Sequence, residues 1–149
     1  MPGKPVKIKI QRACSQDKTA VMQMLACTNF FRPHELEIAE EVFDDALAEG
    51  PAGDYKSFVA REKNITIGWI CFGQTPCTAG TFDIYWVAVA PQSQNRGIGS
   101  SLMRYAADFI KKHKGRMIVV DTSGNPRYLP TRRFYRKVGY RKAAQLKNF

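Results

Sequence analysis

A short glycine-containing segment lies between a predicted strand and a predicted helix. Glycine lets a backbone approach a ligand closely, and the free N–H groups in the first turn of a helix favour an anion such as phosphate. The segment is neither a Gly-Lys-Ser/Thr phosphate loop nor a three-glycine dinucleotide fingerprint. It is either an anion-binding turn or a turn that only reverses the chain. Its residues are Gln94, Asn95, Arg96, Gly97, Ile98 and Gly99, followed by Ser100.

A second pattern lies near the end of the chain. Residues 134–140 read Phe-Tyr-Arg-Lys-Val-Gly-Tyr. Phe134 and Val138 are spaced to face the core of a helix, which leaves Tyr135 on a neighbouring face near the C-terminal end. A buried aromatic residue is the structural alternative for this tyrosine.

Hydrophobic spacing predicts elements in the order β-α-α-β-β-β-α-β-α-β. The first predicted helix has Ser15 as its N-cap, and the second has Pro33 in its first turn. Predicted strands cover residues 6–10, 55–61, 65–72, 81–89, 116–121 and 140–146. Predicted helices cover residues 15–27, 33–50, 98–113 and 131–138.

This order predicts an α/β (α+β) fold. Hairpin links make the earlier strands antiparallel, whereas the strand–helix–strand crossover from Thr81 to Asp121 favours parallel neighbours. We therefore expect a mixed, mostly antiparallel sheet with helices on both faces. A length of 149 residues is typical of one domain, so we expect a single domain over residues 1–149.

Composition narrows the class of protein. Lys and Arg number 23 against 13 Asp and Glu, and the net charge of +10 attracts anionic partners without identifying them. Hydrophobic residues make up 44%, which excludes a chain disordered throughout. No apolar run approaches a membrane span and no signal sequence is evident, so we expect no membrane partner and a cytoplasmic protein. The scattered cysteines predict buried free thiols and no metal: Cys14, Cys27, Cys71 and Cys77.

Together, the two motifs resemble those of the GNAT superfamily of acyl-CoA-dependent N-acyltransferases. The resemblance rests on an Arg/Gln-x-x-Gly-x-Gly/Ala turn after an Ala-Val-x-Pro strand end, and on the Phe-Tyr-x-x-x-Gly-Tyr pattern of residues 134–140. It implies a GNAT-like fold, acetyl-CoA as co-substrate without a metal, and acetyl transfer to a primary amine of a small molecule or peptide. Direct attack in a ternary complex would need no covalent enzyme intermediate.

The resemblance also implies residue roles. The turn of residues 94–99 and Ser100 would bind the pyrophosphate of coenzyme A, and the backbone of Val87 and Val89 would bind its pantetheine arm. Tyr135 matches the tyrosine that in many members protonates the departing thiolate. Ordinary pKa values of about 10 for a phenol and about 8.5 for a thiol allow that transfer.

Asp83 lies where several family members carry a glutamate base. Strand alternation would place it on the face that carries Val87 and Val89. Because aspartate is one methylene shorter, we expect it to act through a water molecule; the alternative is a residue that only makes a hydrogen bond at the edge. Where many members carry a cofactor-contacting asparagine, this chain has Tyr128, and Asn125 is out of register.

Two other functions stay open. A non-catalytic acyl-CoA sensor or regulatory module would need the same cofactor-binding residues. Nucleic acid binding would rest only on the Lys and Arg residues around the last predicted helix, without a recognised motif, so we do not expect it. The sequence does not identify the acceptor, which we expect the first two helices and the strand after Tyr140 to contact.

The end of the chain bears on assembly. Relatives complete the sheet with a further strand, but only Asn148 and Phe149 follow Lys147, too few for a turn and a strand. The final strand should then keep an open edge, which invites pairing with another chain. We predict either a homodimer that covers this edge or a chain shorter than its relatives, and we favour the dimer.

Overall fold

The computed structural model describes residues 7–28 and 30–148. Its strands are β1 (Lys9–Arg12), β2 (Lys56–Glu62), β3 (Ile65–Gln74), β4 (Thr81–Val89) and β5 (Met117–Val120). Its α-helices are α1 (Lys18–Cys27), α2 (Pro33–Glu49), α3 (Ile98–Lys112) and α4 (Leu129–Lys137). No helix in these residues is long and apolar enough to cross a membrane.

The strands form one sheet in the order β1-β2-β3-β4-β5. The first four pair antiparallel in sequence order, and β5 runs parallel to β4. Trp69 of β3 packs on Phe43 of α2 with ring centroids 5.8 Å apart, whereas a Cβ on the neighbouring Gly68 would lie 3.0 Å from Leu102 of α3. The predicted mixed, mostly antiparallel sheet with helices on both faces is confirmed.

The amphipathic spacing of α3 fixes the helix on the sheet. Its buried and half-buried positions recur at helical intervals and pack on the same core as the aromatic residues of β2 and β3. Phe58 of β2, for example, contacts Tyr105 and Phe109 with ring centroids 4.8 and 5.7 Å apart. This packing holds the N-terminus of α3 at a fixed place beside the end of β4.

The N-terminal region differs from the prediction. The strand expected at residues 6–10 lies at Lys9–Arg12, where pairing with β2 fixes it; residue 6 is outside the described residues. Ser15 does not cap a helix but begins a 3-10 turn that leads into α1. The Cys14 N–H instead donates to the carboxylate of Asp17 at 2.9 Å.

The closing strand predicted at residues 140–146 is wrong. These residues form no strand, and β5 is the edge strand at this end of the described sheet, with β1 at the other end. The segment Tyr-Arg-Lys-Ala-Ala-Gln-Leu has no β-branched residue and two alanines, which are poor strand formers. The open edge therefore lies along β5.

A buried ion pair connects the start of α1 to β2 and β3. Asp17 is 1% exposed, and its carboxylate accepts hydrogen bonds from the Arg61 guanidinium at 2.8 and 3.1 Å and from the Thr66 hydroxyl. Burial alone raises the pKa of Asp17, but hydrogen bonds from Arg61, Thr66 and Cys14 outweigh it and hold the pKa below its ordinary value. Asp17 therefore stays ionised and fixes this end of α1 on the sheet.

We expect Asp17→Asn to lower the free energy of unfolding by about 3–5 kcal/mol, because Arg61 loses its buried counter-charge. Urea denaturation measures the loss. Because the fold lowers the pKa of Asp17, its stabilisation is present above the ordinary carboxyl pKa and is lost as pH falls through the folded-state value. Glu40→Gln, which removes an exposed pair with Lys18, should cost less than about 1 kcal/mol. Equal losses for the two variants would contradict this account.

Candidate active site

β4 and β5 pair along only the first part of β4. The parallel register runs from Thr81 opposite Met117 to Ile84 opposite Val120. β5 ends there, so in the described structure residues 85–89 have no strand beside them on that side. The edge of β4 is therefore unpaired along residues 85–89, and we call the space beside it, past the end of β5, the gap between β4 and β5.

A bulge in β4 coincides with the start of this gap. Ile84 lies opposite Phe72 of β3 and Trp86 lies opposite Cys71, so Tyr85 is an extra residue without a partner. A bulge bends its strand and increases the local twist. The bulge thus lies where the pairing of β4 with β5 ends.

The bulge also changes which side chains share a face. Asp83 lies opposite Gly73, on the same face of β3 as Trp69, which α2 covers. Val87 and Val89 come after the extra residue and lie on the face covered by α3. The prediction that Asp83 shares a face with these two valines is therefore wrong, because strict alternation does not allow for the bulge.

The backbone groups of Val87 and Val89 point into the gap. The Ala90 N–H donates to the carbonyl of Ile67 on β3 at 2.8 Å. Since alternate residues of an antiparallel strand turn their N–H and C=O groups to opposite sides, Val87 and Val89 direct theirs away from β3. An extended ligand in the gap could pair with these groups, as a further strand would.

The turn before α3 lies at the same end of β4. Asn95 and Gly97 have positive φ angles of 62° and 78°, and a Cβ on Gly97 would meet nothing within 4 Å. The Ser101 N–H donates to the Gly97 carbonyl at 3.0 Å. The N–H groups of residues 98–100 precede this first helical bond and point outward, so an anion can bind them.

Other members of the turn have packing roles. Ile98 is buried, and a Cβ on Gly99 would lie 3.1 Å from the ring of Phe134, so this glycine lets α4 pack on α3. The Arg96 guanidinium forms a salt bridge with Glu62 of β2. The turn thus combines an open anion-binding backbone with side chains that fix it to the fold.

Tyr135 follows Phe134 on α4, one residue from the contact with Gly99. Its ring packs on those of Phe134 and Tyr140, with centroids 5.4 and 6.1 Å away. Burial, with a smaller effect of Tyr140, raises the pKa of Tyr135 to about 12. The phenol is therefore a weaker acid than its ordinary pKa suggests, and it keeps its proton at neutral pH.

Asp83 lies near Tyr55 and Tyr85 on the other face of the sheet, opposite α3. The Thr75 hydroxyl donates to the Asp83 carboxylate at 2.6 Å, a contact that no motif in the sequence indicates. Tyr85 is 40% exposed and meets Tyr55 edge-on, with ring centroids 5.7 Å apart. Burial, and then the charge of Asp83, raises the pKa of Tyr85. A Cβ on Gly73 would lie 3.2 Å from the Tyr85 ring, so the missing side chain makes room for it.

Aromatic residues connect the segment between α1 and α2 to this region. Phe31 packs edge-on against Trp86 with ring centroids 5.3 Å apart. The ring of Phe30 packs on the ring of Tyr128 with the same centroid distance. The Tyr128 hydroxyl also donates a hydrogen bond to the backbone carbonyl of Phe30 at 3.4 Å. Asn125 accepts a hydrogen bond from the N–H two residues later. Tyr128 and Asn125 thus both have partners within the protein.

The cysteines differ in burial. All four are free, but only Cys71 is buried, whereas Cys27 and Cys77 are exposed. The prediction of buried thiols therefore holds for one of them. Burial raises the pKa of Cys71 to about 12. Within residues 7–28 and 30–148, no group of three or more His, Cys, Asp or Glu residues could hold a metal ion.

Comparison with known proteins identifies the family. Residues 53–142 match the family described as acetyltransferase (GNAT) domain. The structure resembles a Desulfovibrio desulfuricans protein assigned to the GNAT family of acetyltransferases, with 38% identity over 96% of this chain and 91% of that chain and a TM-score of 0.91. The fold is thus that of an acetyltransferase. The chain belongs to the GNAT family, which confirms the resemblance seen in the sequence.

More distant structures share the fold. The aminoglycoside N-acetyltransferase AAC(6')-Iy in complex with CoA is 15% identical, covers 100% of this chain and 97% of its own, and has a TM-score of 0.74. A ribosomal-protein-alanine N-acetyltransferase from Brucella melitensis is 17% identical over 96% of this chain and 99% of its own, with a TM-score of 0.69. A search of curated proteins found no match.

Proposed function

We propose that this chain is an N-acetyltransferase that moves an acetyl group from acetyl-CoA to a primary amine. The amine attacks directly in a ternary complex, without a covalent enzyme intermediate. The observation that carries the proposal is the gap between β4 and β5, which ends at the open N-terminus of α3. We also propose that residues 1–149 form one domain and that the protein works in the cytoplasm.

Backbone groups supply most of the proposed cofactor contacts. Val87 and Val89 would pair with the amides of the pantetheine arm, and the N–H groups of the turn would bind the pyrophosphate. The complex of a fold relative with CoA supports this assignment. The Arg96 side chain is held by Glu62, so we assign it a backbone contact. The full proposed set is Val87, Val89, Gln94, Asn95, Arg96, Gly97, Ile98, Gly99 and Ser100.

Tyr135 is the proposed proton donor to the departing sulfur. Its raised pKa keeps the phenol protonated until negative charge develops on the sulfur. A thiol pKa of about 8.5 makes early proton transfer from this phenol unfavourable. We therefore assign Tyr135 a hydrogen bond that stabilises the developing thiolate, with its proton passing to the sulfur only as the phenol regains one from solvent.

Asp83 is the proposed base on the opposite face. A lysine-like amine has a pKa of about 10.4 and must lose a proton before it attacks, which a water molecule between it and the Asp83 carboxylate can relay. Holding the amine and the thioester together supplies much of the rate, since oriented reactants reach effective molarities of about 10⁵ to 10⁸ M.

Charge and aromatic surface near Asp83 support a positively charged acceptor. α2 carries seven Asp and Glu residues and no Lys or Arg. Burial, then Cys71, and then the charges of Asp45, Glu49 and Asp54 raise the pKa of Tyr55, so these carboxylates lie near its ring. The faces of Tyr55 and Tyr85 can also contact an ammonium group. We propose a cationic amine, on a small molecule or a peptide, as the acceptor.

Two measurements test this function together. Isothermal titration with acetyl-CoA measures binding, and a thiol-release assay over polyamines, amino acids, aminoglycosides and peptide N-termini measures transfer. We expect binding and amine-dependent release of CoA. Binding without release on any amine would instead favour a non-catalytic acyl-CoA sensor or regulatory module.

We expect Gly97→Glu to raise the Kd for acetyl-CoA by about tenfold or more, equivalent to about 1.4 kcal/mol. The variant places a side chain and a negative charge in the open space beside the proposed pyrophosphate site. Calorimetric titration measures the change. Ala52→Glu adds the same charge in the exposed loop after α2 and should leave the Kd unchanged. Unchanged affinity of folded Gly97→Glu would remove this turn from the site.

We expect Tyr135→Phe to lower kcat by about 10² to 10⁴ while acetyl-CoA still binds, because only the hydroxyl is lost. Tyr140→Phe is the matched control, since it removes the neighbouring phenol and keeps the ring packing. Steady-state kinetics and calorimetry measure the two effects. Turnover of Tyr135→Phe at the wild-type rate would assign Tyr135 to packing alone.

We further propose a homodimer in which a second copy covers the outer edge of β5. Met117 on that strand is 58% exposed, and in the described residues no strand lies beside it. Open sheet edges favour pairing with another chain. We expect light scattering at tens of micromolar to give twice the mass of one chain; a monomer with full activity would contradict the proposal.

A further inference from the structure

The connection between β3 and β4 holds a hydroxyl group against Asp83. The Thr75 N–H donates to the Thr81 carbonyl at 2.8 Å, and the Thr78 hydroxyl donates to the Thr75 carbonyl at 2.7 Å. These bonds fix the backbone of Thr75. Its own hydroxyl is left to donate to the Oδ2 atom of Asp83 at 2.6 Å.

Within the described residues, the Asp83 carboxylate accepts one hydrogen bond, and its donor is the Thr75 hydroxyl. The residues opposite Asp83 are Gly73 on β3, which has no side chain, and Val119 on β5, which has no polar atom in its side chain. Asp83 is only half-buried, and within the described residues its Oδ1 atom accepts no hydrogen bond, which leaves this oxygen for a ligand or a water molecule. A hydrogen bond to one carboxylate oxygen fixes the orientation of the side chain.

We propose that Thr75 is a positioning residue for the reaction. It holds Oδ2 of Asp83, so that Oδ1 is presented to the water molecule that takes the proton from the acceptor amine. This inference rests on the proposed function, in which Asp83 is the base. Thr75 itself touches neither substrate and acts through Asp83.

A double-mutant cycle tests the role. Thr75→Val keeps the shape of the side chain and removes the hydroxyl; we expect kcat to fall about tenfold, with the KM for acetyl-CoA unchanged. Thr75→Ser restores the hydroxyl and should recover most of the rate. In an Asp83→Asn background, Thr75→Val should cause no further loss. Equal losses in both backgrounds, or a wild-type rate for Thr75→Val, would overturn the proposal.

Thr66→Val is the matched control. It also removes a threonine hydroxyl that donates to a carboxylate, but at Asp17, in the buried ion pair. We expect it to lower the Tm and leave kcat unchanged. If Thr66→Val lowered kcat as much as Thr75→Val, the loss would reflect stability and the positioning role would fail.

A spectroscopic measurement separates this inference from the proposed function. The ¹³C chemical shift of the Asp83 carboxyl, measured without substrates, should move in Thr75→Val and return in Thr75→Ser. Wild-type protein that acetylates no amine would defeat the proposed function, whatever this signal does. Impaired turnover in Asp83→Asn, with unchanged turnover and carboxyl shift in Thr75→Val, would defeat the positioning role alone.

Discussion

The candidate site depends on one extra residue in β4. Because Tyr85 has no partner on β3, the strand bends, and the alternation of its side chains reverses. Before the bulge, Asp83 lies on the face that α2 covers; after it, the two valines lie on the face that α3 covers. The same bulge coincides with the end of pairing to β5, so the start of the gap and the change of face between Asp83 and the two valines occur at one position of β4.

Acidic and basic residues lie in different parts of the chain, near the two proposed ligands. The acidic residues of α2 lie on the side proposed for a cationic amine. Residues 122–149 contain eight Lys and Arg and no Asp or Glu, and they include α4, which packs on the turn proposed for the pyrophosphate. Although the chain has a net charge of +10, it therefore has one acidic region and one basic region. Such fields increase the encounter rates of oppositely charged ligands and are screened by salt.

The hydrophobic periodicity of the sequence predicts much of the fold but less of the candidate site. The helical spacing from Ile98 onward predicted α3, because one face of that helix is buried. The apolar runs and the turns between them predicted the meander, whose central strands are buried on both faces. The bulge at Tyr85 has no signature in a pattern of period two. The bond from Thr75 to Asp83 depends on how the intervening turn closes, which composition does not reveal. The strand predicted at residues 140–146 relied on its position after the last helix and Gly139, in a segment without β-branched residues, and it was wrong.

The central claim is that the gap beside β4 and the N-terminus of α3 together bind coenzyme A. A titration of ¹⁵N-labelled protein with CoA, followed by amide NMR, tests it most directly. The account predicts that the amide signals of Val87, Val89 and residues 97–100 move most, while those of α2 stay in place. Binding of CoA, established by calorimetry, with these signals unmoved would contradict it.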